Sequence, residues 1–580
     1  MKDQIRKIIL KIVDNLWEKN DLKKSEIEIN KAPEKFGDYS TNVAMKLARI
    51  VKKNPLEIAE IIKEKLSTDS VAQSLIEKIE VAKPGFINFY FSQKAYEKIL
   101  ADILKQGDRY GFSKLGQGKK VMVEFGQPNT HKAITVGHLK SAVSGLSVVK
   151  LFEALGYEVI RANFFGDVGM QVAKSTWAMI KKELPSEFED WKNDKKMEFV
   201  NEAYVEGANA FKDNPQAEAE IRKINKDIYA KTDNKNYQWY QKIREWSIEY
   251  QNEVFAKLGI EYDRQYPESE VYQDAIKIVE QHQGKIFEES QGAIVYKGKK
   301  DGLHTWVFLT KEGNPTYSAK DLALAVKKFS EYDLDLAIVT TSVEQTDYFK
   351  AVIKVLEKID KNFEGKYKHV PFGWLLMNGK KTSSRMGKTI KCVDIVAEAM
   401  QLAKEKIAID KDYSSEQKQE IINKVALAGL KFLILSHEFH KDINYNPEEF
   451  IKLNGFSGPF ILYSYIRINS IVKKVSAKGG SVSGWDDNLR FESDHEKQLA
   501  SALLMYSDTV LRAGIEIAPH IICNYLYEVA QKFNSFYENC SIQKAENEVQ
   551  KKSRLVLAMA TGQILKNGLG LLGIETLEKM

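Results

Sequence analysis

The chain has 580 residues, too many for one compact core, so several domains are expected. Hydrophobic residues make up 43% and charged ones 29%, ordinary for a globular protein, and 86 basic against 80 acidic side chains leave a net charge of +6, which permits an RNA partner without demanding one. Cys392, Cys523 and Cys540 stand far apart with no Cys-x-x-Cys pair, which argues against a disulfide framework or a structural zinc and for a reducing cytoplasm; no apolar run approaches the ~20 residues of a membrane span.

The opening MKDQIRKIILKIVDNLWEKN has apolar residues at helical spacing, cut by charges every few positions, so it reads as an amphipathic helix and not a signal peptide. After PEKFGDYS a helix begins near Asn42, carries Ala44, Leu47 and Ala48, and ends before Pro55. The segment closes on KPGFINFYFS, a Pro-Gly turn leading into an alternating strand with Phe86, Asn88 and Tyr90 on one face. Residues 1–112 therefore read as a small α+β domain. From 113 to 395 strands and helices alternate: VMVEF, a helix through Leu151, EVIRANFFGD, LDLAIVTT, then a helix at YFKAVIKVLEKI. Such alternation argues an α/β domain with a doubly wound parallel sheet, interrupted at about 180–256 by a Lys/Glu-rich helical insertion. Residues 396–580 are helical in pattern apart from SAKGGSVSGWDD at 476–487, a loop by composition, and read as an α-helical bundle.

In a doubly wound sheet the ligand sits beyond the carboxyl ends of the strands, most often at the first strand-to-helix corner. Here that corner is EFGQPNTHKAITVGHL. Gly137 stands at a helix start, where free N–H groups and a partial positive charge suit phosphate and the missing side chain admits a base or ribose. His138 on the first turn can donate to an anion and by its type titrates near neutrality. Asn129, His131 and Lys132 add donors within the same loop. A second anion loop is GKKTSSRMGKTI, 379–390, whose Lys380, Lys381, Arg385 and Lys388 could neutralise charge on a leaving pyrophosphate.

The corner Pro-Asn-x-x-Lys-x-x-x-Val-Gly-His-Leu, the distant Lys-x-Ser-Ser-Arg and a helical C-terminal region closely resemble class I aminoacyl-tRNA synthetases, and among them the arginyl-tRNA synthetase family. KFGDYSTNVAMKLA and PGFINF look like that family's appended tRNA-elbow domain, YEVIRANFFGDVGMQ and PTYSAKDLALA like its catalytic segments, and SGPFILYSYIRINSI with RLVLAMATGQILKNGLGLLGIETLEKM like its anticodon-binding bundle. The resemblance implies a Rossmann-like catalytic domain. It implies ATP-dependent joining of L-arginine to tRNA(Arg) through arginyl-adenylate, with Mg2+ accompanying ATP, in a cytoplasmic protein expected to be monomeric. A synthetase for another amino acid and a tRNA-binding paralogue without catalysis are the rival expectations.

By the same resemblance, Glu124 and Asp321 would accept the guanidinium in a forked geometry, Tyr317 would stack on it or bond it, Asn129 and Gln345 would fix polar groups, and His138 would reach arginine or its adenylate. Two carboxylates would reject neutral side chains, whose binding leaves buried charge unpaired. Pro128, His131, Thr135, Gly137, His138 and Lys381 would hold ATP. His138, Lys132, Lys381, Ser383, Ser384 and Arg385 would stabilise charge in the reaction. Phe86 with Asn88 would take a splayed tRNA base, one stacking and one reading its edge, and Tyr463 with Arg467, at i and i+4, would meet anticodon-loop nucleotides.

Two positions depart from the family pattern. Thr135 stands where the first signature histidine is usual, and Ser384 where the second signature often has lysine, with Lys132 resembling the family's substitute for the latter. For the missing imidazole the expectation is His131, so that His131→Ala would slow ATP–pyrophosphate exchange. GLGLLG at 568–573 fits a dinucleotide pattern by letter, but only seven residues remain after it, and HEFH at 437–440 has the wrong spacing for zinc.

Overall fold

The computed structural model describes residues 2–17, 22–23, 26–377, 379–381, 390–407, 412–477 and 488–579. The first helix, Lys2–Leu16, buries Ile5, Ile9, Ile12 and Val13 along one stripe, as its spacing dictates. It packs on the helix Pro55–Thr68, which lies on a four-stranded antiparallel sheet in the order Ile29–Lys31, Tyr39–Thr41, Phe86–Phe91, Ile76–Ala82. Phe86, at the strand end, is 39% exposed, whereas Asn88 is 3% exposed. Asn88 lies between Ser40 and Glu80 in the middle of the sheet, so shared parity with Phe86 does not give it a surface amide. The expected base-edge reader is therefore a buried residue.

The middle region is built on five parallel strands, in spatial order Tyr367–Phe372, Leu336–Ser342, Lys120–Glu124, Glu158–Phe165, Arg264–Pro267. The first strand in sequence is central, and the chain winds outward from it in both directions. The switch point thus falls between Lys120–Glu124 and Leu336–Ser342, where a crevice opens at the strand ends. The helix after the first strand, Val136–Ala154, is buried almost all round, including Ser141, Ser144, Gly145 and Ser147. Small residues let it approach closely: a Cβ on Gly145 would overlap the Phe125 ring. The insertion forms three helices, Asn193–Asp213, Pro215–Ala230 and Lys235–Lys257.

The C-terminal region is helical, with Ser415–Leu435, Gly458–Ala477, Asp494–Leu504, Tyr506–Glu516, His520–Asn539 and Glu548–Leu571 as its main elements. GLGLLG falls mostly within the last of these and so is not a strand-to-helix phosphate loop. This bundle meets the Val136–Ala154 helix directly, Ser147 Oγ donating to Leu571 O at 3.0 Å, and Lys431 holds Gly573 O. It also meets the N-terminal domain, where Lys566 pairs with Asp108 at 2.8 Å and Asn567 donates to Gly107 O at 2.9 Å.

Candidate active site

A cleft of about 320 Å3 opens at the switch point. Its floor comes from strand ends, Glu124, Phe164, Thr341 and Phe372, and its walls from the corner loop and four helix starts, at Val136, Glu268, Tyr317 and Thr346. The corner is pinned before any ligand arrives. Gly126 N–H donates to Ser141 Oγ (2.9 Å), Gln127 N–H to Asn163 Oδ1 (3.1 Å), Thr130 N–H to Gly166 O (2.9 Å) and His131 N–H to Ser247 Oγ (3.0 Å). Gly126 turns at φ +91°, and a side chain there would strike the Tyr262 hydroxyl. Asn129 Oδ1 accepts from Gly166 N–H at 3.2 Å, which aims its amide nitrogen as the free donor of that side chain.

Glu124, Asn129, Gly137, His138, Tyr317, Asp321 and Gln345 all line this one cleft, although they span more than two hundred positions of sequence. Asp321 stands one turn into the helix Tyr317–Glu331. Burial, then the neighbouring Glu124, pushes its carboxyl up to about 7, against the pull of a hydrogen bond from Tyr348 and of Lys328 and Lys320. Glu124 is differently placed. One oxygen takes the ammonium of Lys328, itself wholly buried, and the other accepts from Gln127 Nε2 at 2.8 Å. Glu124 therefore enters the cleft already neutralised, and Asp321 is left to answer an incoming positive charge. Glu268, another cleft carboxylate, is likewise paired with Lys320. Lys328, Tyr348, Glu268 and Lys320 escape sequence reasoning because each acts through a partner brought near by folding; the Lys328–Glu124 pair spans 204 residues.

His138 differs from its expected chemistry. Burial, with the positive charge of Lys132 nearby, pushes its imidazole down to about 3, so the ring is neutral across the physiological range and does not titrate near neutrality. Thr135 N–H donates to His138 Nδ1 at 3.0 Å, and Thr135 Oγ1 lies 3.1 Å from the same nitrogen. Nδ1 is thus the acceptor and Nε2 carries the proton. Thr135 is the residue immediately before the helix, and its place in the corner is to hold His138.

His131 is not in the cleft. Its ring is 1% exposed, stacked on Tyr240 at 5.7 Å with Nδ1 on Thr130 Oγ1, and burial pushes it down to about 3. The left-handed backbone at His131 (φ 63°) turns the ring inward, against the insertion. It cannot stand in for the missing imidazole. Pro128, Lys132 and Thr135 also lie off the cleft lining, Lys132 close enough for its charge to act on His138.

Ser383, Ser384 and Arg385 lie outside the described residues, and of Lys381 only the backbone, in the short strand Lys380–Lys381, is described. The segment that follows is tied to the corner: Val136 N–H donates to Ile390 O (3.1 Å) and Cys392 N–H to Ile134 O (2.8 Å). Lys140, on the corner helix, clips Trp374 O and Lys441 O at 3.4 and 3.3 Å, and burial pushes its ammonium down to about 8. In the bundle, Arg467 lies over Tyr463 at 4.8 Å and over Tyr537 at 5.2 Å, with Asn534 Oδ1 accepting at 3.2 Å.

Comparison with known proteins gives three family matches in order along the chain: the arginyl tRNA synthetase N-terminal domain at residues 1–91, the catalytic domain of the class I (R) tRNA synthetases at 99–446, and the DALR anticodon binding domain at 461–580. A curated arginine–tRNA ligase of Fusobacterium nucleatum is 33% identical over all of this chain and 99% of its own length, and one of Clostridium perfringens is 31% identical over 96% of each. Among solved structures, the Thermus thermophilus arginyl-tRNA synthetase superposes with a TM-score of 0.81 over 100% of this chain and 99% of that one, at 22% identity, a likeness of fold. With the catalytic-domain match spanning more than half the chain and relatives above 30% identity along its whole length, this protein belongs to the class I arginyl-tRNA synthetase family.

Proposed function

We propose that the cleft forms arginyl-adenylate from ATP and L-arginine and passes the arginyl group to the terminal adenosine of tRNA(Arg). The arginine carboxylate attacks the α-phosphorus of ATP and pyrophosphate leaves; a ribose hydroxyl of the adenosine then attacks the arginyl carbonyl and AMP leaves. The substrate carries its own nucleophile, so the protein contributes placement and charge. Magnesium arrives with the triphosphate as part of that substrate.

The observation that carries the assignment is Asp321, a buried carboxylate in the cleft with no ion pair among the described residues, beside a Glu124 already paired with Lys328. One guanidinium supplies the missing charge, and its five donors suit the acceptors on Asp321, Glu124 and Gln345 with the Tyr317 ring alongside. A neutral side chain would leave Asp321 uncompensated. Glu268 would accept from the α-ammonium group, and the Asn129 amide nitrogen would donate to the arginine carboxylate. Neutral His138, donating from Nε2, and the N–H groups at Gly137 serve the nucleotide phosphates, with Lys132 adding charge from behind. Residues 1–112 and 396–580 serve tRNA, Phe86 and the Tyr463–Arg467 pair among their contacts, and residues 113–395 carry the chemistry. The protein acts as a monomer in the cytoplasm, which suits three buried free thiols. The test is charging of tRNA(Arg) with each amino acid in turn. Arginine alone should be attached, and Asp321→Asn should raise KM for arginine at least a hundredfold; charging with another amino acid would overturn the assignment.

A further inference from the structure

Lys328 stands two turns beyond Asp321 on the helix Tyr317–Glu331, so the two side chains leave one face of the helix and meet the strand end at Glu124 together. The neighbouring Lys327 takes an ordinary course and pairs near the surface with Glu270 at 3.2 Å and Glu331 at 3.1 Å. Lys328 instead lies wholly in the interior, its ammonium on Glu124 Oε2 and donating to the Tyr367 hydroxyl at 3.3 Å. Stability does not explain such a pair. Taking both charges out of water costs about as much as their attraction gains, and apolar side chains of the same volume would hold the fold as well.

What the pair changes is the cleft. Two carboxylates open to an incoming cation would accept lysine beside arginine, because a point ammonium with three rotatable donors can settle between them. Here the Glu124 oxygen that suits an ammonium already holds one, presented by the protein itself. The ammonium of a bound lysine would sit near that like charge in a poorly screened interior, with Asp321 alone to answer it. A guanidinium meets the same Lys328 charge on better terms. Its own charge is spread over three nitrogens, its donors reach one bond further from Cα, and they can be shared among Asp321, Gln345 and Glu124 Oε1, which accepts from Gln127 at 2.8 Å and has a second lone pair.

We propose that Lys328 determines the choice of arginine over lysine by filling the ammonium place on Glu124 from within the protein. The inference rests on the function proposed above and deepens it: a cation of the chain's own, acting through Glu124 without touching the substrate, separates two cationic amino acids.

The experiment measures charging of a tRNA(Arg) transcript by the full-length protein with arginine and with lysine, and compares the ratio of the two kcat/KM values between variants. Lys328→Met vacates the ammonium place, so the ratio should fall about thirtyfold, with kcat/KM for lysine itself rising about tenfold per folded molecule. Lys328→Arg refills the place with a cation and should return the ratio to within about threefold of the wild type. Both substrates meet the same folded molecules, so lost stability does not enter the ratio. A second comparison serves where Lys328→Met yields too little folded protein. Glu124→Gln leaves Lys328 only Asp321 to pair with, and KM for arginine should rise about a hundredfold; adding Lys328→Met removes that competing cation, and KM should fall again about tenfold. A ratio unmoved in Lys328→Met or not restored by Lys328→Arg, or a double variant no better than Glu124→Gln, overturns the role of Lys328 and leaves the charging activity standing. A wild type that attaches no arginine overturns the function on which it rests.

Discussion

At the scale of single residues, the arginine site is a problem of counting buried charge. With Asp321 raised to about 7, a guanidinium must displace a proton below that pH, so KM for arginine should fall as pH rises toward 7 and level off above it. Asp321→Asn should abolish this inflection in a pH series. The stability consequence has the opposite slope. A carboxyl that holds its proton more tightly folded than unfolded costs stability as pH rises from about 4 to about 7, so Asp321→Asn should melt higher than the wild type at pH 8, the gain vanishing below pH 4. Lys328 is the complementary case. Lys328→Met leaves Glu124 buried without its cation, a loss of roughly 3–5 kcal/mol. Lys473→Met, breaking an exposed pair with Glu578, should cost about 0–1 kcal/mol. Denaturant melts of the two variants check the contrast. His131→Ala should lower Tm and leave KM for ATP within twofold, since its ring packs on Tyr240 and not in the cleft. Cleft residues belonging to quoted motifs were legible in the sequence, whereas Lys328 and Lys320 were not. Lysine on a helix reads as a solvated face until folding sets a carboxylate against it.

At the scale of elements, the corner and the segment after the second signature behave as one piece. Their link is two backbone hydrogen bonds, from Val136 to Ile390 and from Cys392 to Ile134. Cys392 begins the helix Cys392–Lys406, where proline costs the helix nothing, and Lys391 already has the extended backbone (φ −77°, ψ 147°) that a following proline requires. Cys392→Pro therefore removes one N–H from the link while exchanging one small buried side chain for another. It should lower kcat for charging about tenfold with KM for arginine unchanged and the helical circular dichroism intact. Three of the five parallel strands, Lys120–Glu124, Glu158–Phe165 and Leu336–Ser342, followed from hydrophobic period, whereas the short outer strands Arg264–Pro267 and Tyr367–Phe372 did not. The link did not, because a bridge of one residue pair between segments some 250 positions apart leaves no periodic trace. The surface expected of Asn88 failed for a related reason. Alternation gives the face of a strand but not whether that face is covered, and Asn88 lies mid-sheet while Phe86 sits at its rim.

At the scale of the whole molecule, the parallel sheet and the C-terminal bundle share one buried axis, the helix Val136–Ala154. It begins at the cleft, runs under the sheet and ends against the bundle, where Leu571 receives Ser147. A chain cut after residue 457 would expose that apolar end to water. It should aggregate or bind a hydrophobic dye, and it should lose charging of any RNA, including a minimal acceptor stem that never reaches the anticodon bundle; a soluble, active fragment would contradict this. The same burial bears on how the sequence can drift. From Thr135 to Ala154, only Thr135, Gly137, His138, Lys150 and Glu153 are not buried, so almost every other change on this helix must be matched by a neighbour. Thr135 occupies one of the few places where a signature residue could be exchanged without repacking the interior. The departure from the family pattern sits where the architecture leaves most freedom to depart.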